Sequence, residues 1–220
     1  MPRLRRTGFT LIELLIVIAI LSILAVTVII TLNPQELIKQ ARDSTRLSDM
    51  AQLNSALNIY QTDSSIQGSS SFGTASTTYI SIPDPTATST AGDQCQGLSL
   101  PTLPSGWTYH CAATSTNRNV DGTGWIPVNF TSISYGSPLG TLPVDPVNTT
   151  SSGNYYTYTP GGSFMLTATP ESNKTRTTQA DQTTGAITVG TDLTLSPLFN
   201  SSGLVGYWKF DEGSGTSSTD

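Results

Sequence analysis

The sequence predicts an α+β protein in which a long N-terminal α-helix, membrane-spanning over its first half, packs on a small antiparallel β-sheet head. Three observations lead there. Phe9 to Leu32 is an almost unbroken apolar run with a single ionisable side chain, Glu13. The next thirty or so residues repeat apolar positions at helical spacing. From Asp63 onward, short β-branched and aromatic runs alternate with Ser, Gly, Pro and Asn clusters. A mean hydropathy near zero therefore averages two unlike materials, an apolar rod and a polar head. The 220 residues allow one ordinary domain, or one plus a fragment.

Residues 1–8 form a basic leader carrying Arg3, Arg5 and Arg6. Residues 9–32, at about 1.5 Å each, make a rod of roughly 36 Å, enough to cross a hydrocarbon core of about 30 Å. The arginines keep the leader cytoplasmic and send everything after Leu32 to the outer face. An ordinary secretory signal has a shorter apolar core and a small-residue cleavage site after it. Here the small residue, Gly8, precedes the apolar run, and Asn33-Pro34 follows it. A cut at Gly8 would take the formal charge from −5 to −8 and leave the whole helix on the mature chain.

A carboxylate inside a membrane helix costs about 2.5–3.5 kcal/mol, so Glu13 needs compensation. With Phe9 as the new N-terminus, its α-amine lies one turn away on the same face, or in the same position on a neighbouring subunit. Such a pair would favour one axial stagger, because a buried unpaired charge is costly. The alternative is a carboxylate snorkelling at the membrane edge.

The run Arg5-Arg6-Thr7-Gly8-Phe9-Thr10-Leu11-Ile12-Glu13-Leu14-Leu15-Ile16-Val17 resembles the prepilin signal of type IV pilins and type II secretion pseudopilins. That resemblance implies cleavage after Gly8 by a prepilin peptidase, N-methylation of Phe9 by the same enzyme, and an assembly role for Glu13. It implies as partners other pilin or pseudopilin subunits in a homo-polymer or mixed filament, the peptidase, an inner-membrane assembly platform, and membrane lipid before assembly. The chain would start as a single-pass protein of the inner or cytoplasmic membrane, leader inside and head outside, and end in an extracellular or periplasmic filament.

Residues 33–62 read as an amphipathic stem helix that Pro34 can open. Leu37, Ile38 and Ala41, then Met50, Leu53, Leu57 and Tyr60, recur at intervals of three and four. The opposite face carries Lys39, Arg42, Asp43, Arg46 and Asp49. It is expected to be solvated, with subunit contact as the alternative.

Residues 63–200 form the β-rich head, with strands expected at Thr78–Ile82, Trp107–Cys111, Trp125–Phe130, Tyr155–Tyr158, Ser163–Thr169 and Ala186–Val189. Outside the cytoplasm a Cys95–Cys111 disulfide would add roughly 3 kcal/mol, the alternative being two separate thiols. Leu142-Pro143-Val144-Asp145-Pro146-Val147-Asn148 resembles the Leu-Pro-x-Asp-Pro turn of pseudopilins. Tyr155–Tyr158 and Phe164–Ala168 with Glu171 resemble the paired strands of pilin-like heads. The secretion pseudopilins can hold calcium in this region, and Asp145 and Asn148 are hard-oxygen candidates for it; Asp-Pro and Asn also make turns without any metal. No other cofactor is expected.

Residues 201–220 change character. Gly203 to Thr216, through Tyr207-Trp208-Lys209-Phe210-Asp211-Glu212, resembles the opening strand of a concanavalin A-like, laminin-G-type jelly roll, here truncated. Either a longer protein displays such a domain on the stalk, or this is a terminal strand packing on the head.

The leading expectation is a structural filament subunit acting by polymerisation, in a type IV pilus or a type II secretion pseudopilus. The alternative is a pilin-anchored adhesin whose jelly roll binds carbohydrate or protein. No catalytic residue is expected. His110 reads as a strand residue, Asp211 and Glu212 do not make a two-carboxylate hydrolase site, and no compact set of zinc ligands occurs. A mildly acidic head with scattered basic residues offers no footprint for nucleic acid.

Overall fold

The computed structural model describes residues 9–63, 72–90, 92–182 and 184–199. The leader with Gly8, and the jelly-roll resemblance at 201–220, lie outside the described residues. Helix α1 (Leu11–Leu32) is exposed along its described side chains. It stops at Asn33, whose left-handed backbone (φ 42°, ψ 71°) is tolerated by asparagine better than by most residues. Helix α2 (Pro34–Thr62) restarts at once, with Pro34 in the first turn, where a missing N–H leaves no bond unmade. Asp63 closes α2, its N–H donating to Ile59 O at 3.1 Å. The Asp63 carboxylate then accepts from Ser134 N and Oγ at 2.7 and 2.8 Å, tying the end of the stem to the head.

The head is a five-stranded sheet ordered β2-β1-β3-β4-β5. Its strands are β1 (Thr77–Asp84), β2 (Thr108–Ala113), β3 (Tyr156–Pro160), β4 (Phe164–Ala168) and β5 (Ile187–Gly190), with a short helix α3 (Asn173–Thr178) before the last. Five of the six expected strands are present. The sheet is mixed, not wholly antiparallel, because β1 and β2 run parallel. Parallel neighbours need a long crossover, and residues 85–107 supply one. That excursion is pinned by Asp84, which accepts from Thr86 N and Gly97 N, each at 2.7 Å.

The sixth expected strand, Trp125–Phe130, is irregular chain ending in a 3-10 turn at Phe130–Ser132. Ile126, Val128 and Phe130 are buried while Pro127 is half-buried and Asn129 exposed, as in a strand, but Trp125 beside Ile126 is buried too and the segment pairs with no strand of the sheet. The segment serves as core filling. Trp125 N and Phe130 N donate to Asn117 O and Val120 O rather than to a ladder.

Alternation in β1 explains the two cores. Tyr79 faces the stem and joins Met50, Leu53, Leu57 and Tyr60 of α2 with Tyr156, Tyr158, Phe164 and Leu166. Ile80 and Ile82 face the other way, onto Cys95, Cys111 and Tyr155. The sheet is thus covered by the stem on one side and by the disulfide-closed excursion on the other.

Candidate functional site

Phe9 and Thr10 lead into α1 as an exposed, capped helix start. Thr10 Oγ1 accepts from Glu13 N at 3.3 Å and donates to a Glu13 carboxylate oxygen at 3.4 Å. This reciprocal pairing satisfies an otherwise orphaned first-turn donor and fixes the Glu13 side chain beside the chain start. Glu13 also lies in the first turn, where the helix dipole favours negative charge. Beyond it, Ser22 and Thr27 donate their hydroxyls to Ile18 O and Ile23 O, at 2.7 and 2.9 Å. Both hydroxyls are satisfied within the helix, which suits an apolar surround. Among the described residues α1 is the one helix long and apolar enough to cross a membrane.

A second group of residues joins stem to head. The face of α2 expected to be solvated is where the structure departs most from the sequence reading. Asp43 and Arg46 are fully buried, and Lys39, Arg42 and Asp49 are half-buried. Arg46 forks onto Asp145 through Nε and an η-nitrogen at 2.6 and 2.9 Å. Its other η-nitrogen reaches Asp43 at 2.7 Å and Glu171 at 2.9 Å. Arg42 adds a 2.9 Å bridge to Glu171. Asp43 in turn accepts from Glu171 N and Ser172 N, at 2.9 and 2.8 Å, so one carboxylate holds both the guanidinium and the backbone after β4. Planar, bidentate geometry is what arginine supplies and lysine does not.

Burial alone would raise the Asp43 pKa. The N–H groups of Glu171 and Ser172, with Arg46, outweigh that effect and hold it below the ordinary value of 3.8. Asp84 is likewise held down against burial, by Thr86 and Gly97. Both folded carboxyls are therefore more acidic than their unfolded counterparts. Their stabilising contribution is complete above about pH 5 and drains as pH falls through the folded values. Asp49 has the opposite sign. Burial raises its pKa, only partly countered by the 2.8 Å bond from Tyr156 Oη, so it weakens the fold as pH rises through that folded value. As pH falls below 6.5 the unfolding midpoint is expected to slip slightly, because burial holds His110 neutral where an unfolded imidazole takes up a proton, and below 3.8 it should fall steeply as Asp43 and Asp84 are protonated. Asn at position 43 should flatten the acid limb, while a wild-type midpoint with no steep fall by pH 2.5 would remove this account.

Asp145 and Asn148, the calcium candidates, are engaged elsewhere. Asp145 binds Arg46 and accepts from Val147 N at 2.8 Å, while Asn148 Oδ1 accepts from Ser81 Oγ at 2.6 Å. A cation at Asp145 would compete with a guanidinium already in contact, so the turn is an arginine-bound turn here. No group of three metal-ligating side chains occurs among the described residues. Trp125 Nε1 and Arg118 Nε hold the same turn by its carbonyls at Pro143 and Leu142. Cys95 and Cys111 are joined in a disulfide, with both side chains buried. His110 lies in β2, stacked on Tyr79 with ring centroids 4.9 Å apart, as a strand residue.

Residues 3–29 match the family described as the prokaryotic N-terminal methylation motif. The chain carries a prepilin-type signal. It covers the basic leader and nearly all of α1, and with the long helix and five-stranded sheet it gives an α+β, pilin-like molecule. Comparison with curated proteins and with solved structures found no match.

Proposed function

We propose that this protein is a prepilin-like structural subunit, cut between Gly8 and Phe9 by a prepilin peptidase, methylated at Phe9 and assembled into a type IV pilus or a type II secretion pseudopilus. The observation that carries the proposal is the methylation motif set on a helix whose apolar side chains are exposed. An exposed apolar rod of 22 residues has two stable surroundings, lipid and other rods like itself. In lipid the helix anchors the unassembled subunit. In the filament the Phe9 amine and Glu13 pair within or between subunits, which selects one stagger.

The test is intact mass and N-terminal sequencing of protein from membranes and from sheared filaments of the producing cell. A mature chain starting at methylated Phe9 is expected, with Gly8→Ala or loss of the peptidase leaving the leader in place and filament yield reduced by tenfold or more. Filaments built from uncut chains would overturn the proposal.

A further inference from the structure

After α1 the described residues hold six basic side chains, Lys39, Arg42, Arg46, Arg118, Lys174 and Arg176. All but Arg118 lie on the first half of α2 or on α3. The contacts bring α3 to the end of α2 that adjoins the apolar span. Glu171 N and Ser172 N donate to Asp43, and the next residue, Asn173, donates its N–H to Glu36 Oε1 at 2.8 Å, two helical turns nearer to α1. The chain therefore runs down the stem toward the span and opens α3 there, with Lys174 and Arg176 exposed on it. Lys39 belongs to the same stripe of α2, three residues after Glu36 and four before Asp43.

Arg42 and Arg46 are bound to carboxylates, but Lys39, Lys174 and Arg176 make no ion pair among the described residues. Arg176 Nε donates to Pro170 O at 3.1 Å, which braces the guanidinium beside α3. The carboxylates near these three are Glu36, bound by Asn173 N–H, and Asp43 and Glu171, already bridged by the two arginines. The patch is left positive on a chain whose formal charge is −5. Its height is set by α1. The apolar span ends at Ile29, and Glu36 follows seven residues later, at most about 10 Å along a helix axis. The headgroup layer is about 5–8 Å deep on each side of the hydrocarbon, and charges act over about 8–10 Å in physiological salt. At the same level Leu37 and Ile38 are exposed. Apolar side chains beside basic ones are what an interfacial surface presents to lipid.

We infer that Lys39, Lys174 and Arg176 form a basic shelf that docks on the phosphates of anionic lipids and holds the head against the bilayer while the subunit is unassembled. The occupant is the bilayer because α1 leaves the shelf within a headgroup's reach of it, because its charge is opposite to that of an anionic lipid surface, and because Leu37 and Ile38 beside it suit the acyl boundary. Each basic group near such a surface strengthens attachment about fivefold. The inference rests on the membrane-anchored part of the proposed function and needs no filament.

The experiment places the full chain in lipid nanodiscs of phosphatidylcholine, alone or mixed with phosphatidylglycerol, and follows acylation of each lysine by a water-soluble reagent with mass spectrometry. Lys174 is expected to react about tenfold more slowly in the anionic discs at low salt. The two rates should converge near 1 M salt, where screening shortens to about 3 Å. A lysine introduced by Ser105→Lys, on the exposed turn before β2, should react alike in both discs. Lys39→Gln with Arg176→Gln should bring the Lys174 rate in anionic discs toward the neutral value, with the fluorescence of buried Trp125 unchanged as a check of folding. Equal Lys174 rates in the two kinds of disc overturn the shelf and leave the anchored subunit standing. Protection that appears in both lipids and grows with chain concentration also overturns it, in favour of a second copy as the partner. A chain that α1 does not hold in the discs removes both readings.

Discussion

Replacing Arg46 with alanine is expected to lower the unfolding free energy of the head by about 3–5 kcal/mol, the usual loss when one partner of a buried ion pair is removed. The reason is what the change leaves behind. The Asp43 and Asp145 side chains are 0% exposed, and without the guanidinium they stay buried as uncompensated anions. Typical domains are stable by about 5–15 kcal/mol, so the loss is a large share of the whole. Arg46→Lys should recover only part of it, since an ammonium cannot fork onto Asp145 while reaching Asp43 and Glu171. A double exchange of Arg46→Met with Asp145→Asn should be milder than Arg46→Ala alone, because it removes charge on both sides. Urea unfolding of the detergent-solubilised chain, followed by the fluorescence of buried Trp125, reads all three. A loss under 1 kcal/mol for Arg46→Ala would show that the cluster is indifferent to stability.

Exchanging Cys95 and Cys111 for serine together should cost about 3 kcal/mol, from a bond spanning 16 residues of sequence. Loss of apolar burial adds to it, because both sulfurs lie in the second core with Ile80, Ile82 and Tyr155. Damage should stay local. The disulfide closes the excursion that covers one face of the sheet, while the stem packs on the other. The Trp125 signal, in the core shared with the stem, is therefore expected to keep its native form in the double variant while Trp107, beside the loop, loses it. Unchanged unfolding midpoints with and without the disulfide would contradict this.

The rod, the stem and five of the strands were legible because each rests on a local signal: an apolar run, helical spacing, or β-branched and aromatic clusters. The parallel pairing of β1 with β2 was not, because register between strands separated by a long excursion leaves no mark in either strand. Trp125–Phe130 misled because its composition is that of a strand while Trp125 and Ile126 both turn inward. The charged side of α2 misled most. Asp43, Arg46 and Asp49 have the spacing of a solvated face, and what makes it a buried one, Asp145 and Glu171, arrives 99 and 125 residues after Arg46. The one local hint was the spacing of three between Asp43 and Arg46, which puts opposite charges in reach on one face. At the N-terminus the signal is local: the methylation motif lies wholly within residues 3–29 and needs no partner from the rest of the chain.

That separation along the chain sets an order of events. At roughly 5–20 residues per second of synthesis, Glu171 follows Arg46 by on the order of ten seconds. During that interval the stem has Asp43, but not yet all three of the carboxylates that hold its guanidinium. Contacts of such long range form late and slowly. A chain that stops short of β4 has Asp43 and Asp145 for Arg46, but it lacks Glu171 and the backbone N–H groups of Glu171 and Ser172 that hold Asp43. Closure of the stem onto the head thus waits for a carboxylate 125 residues away along the chain.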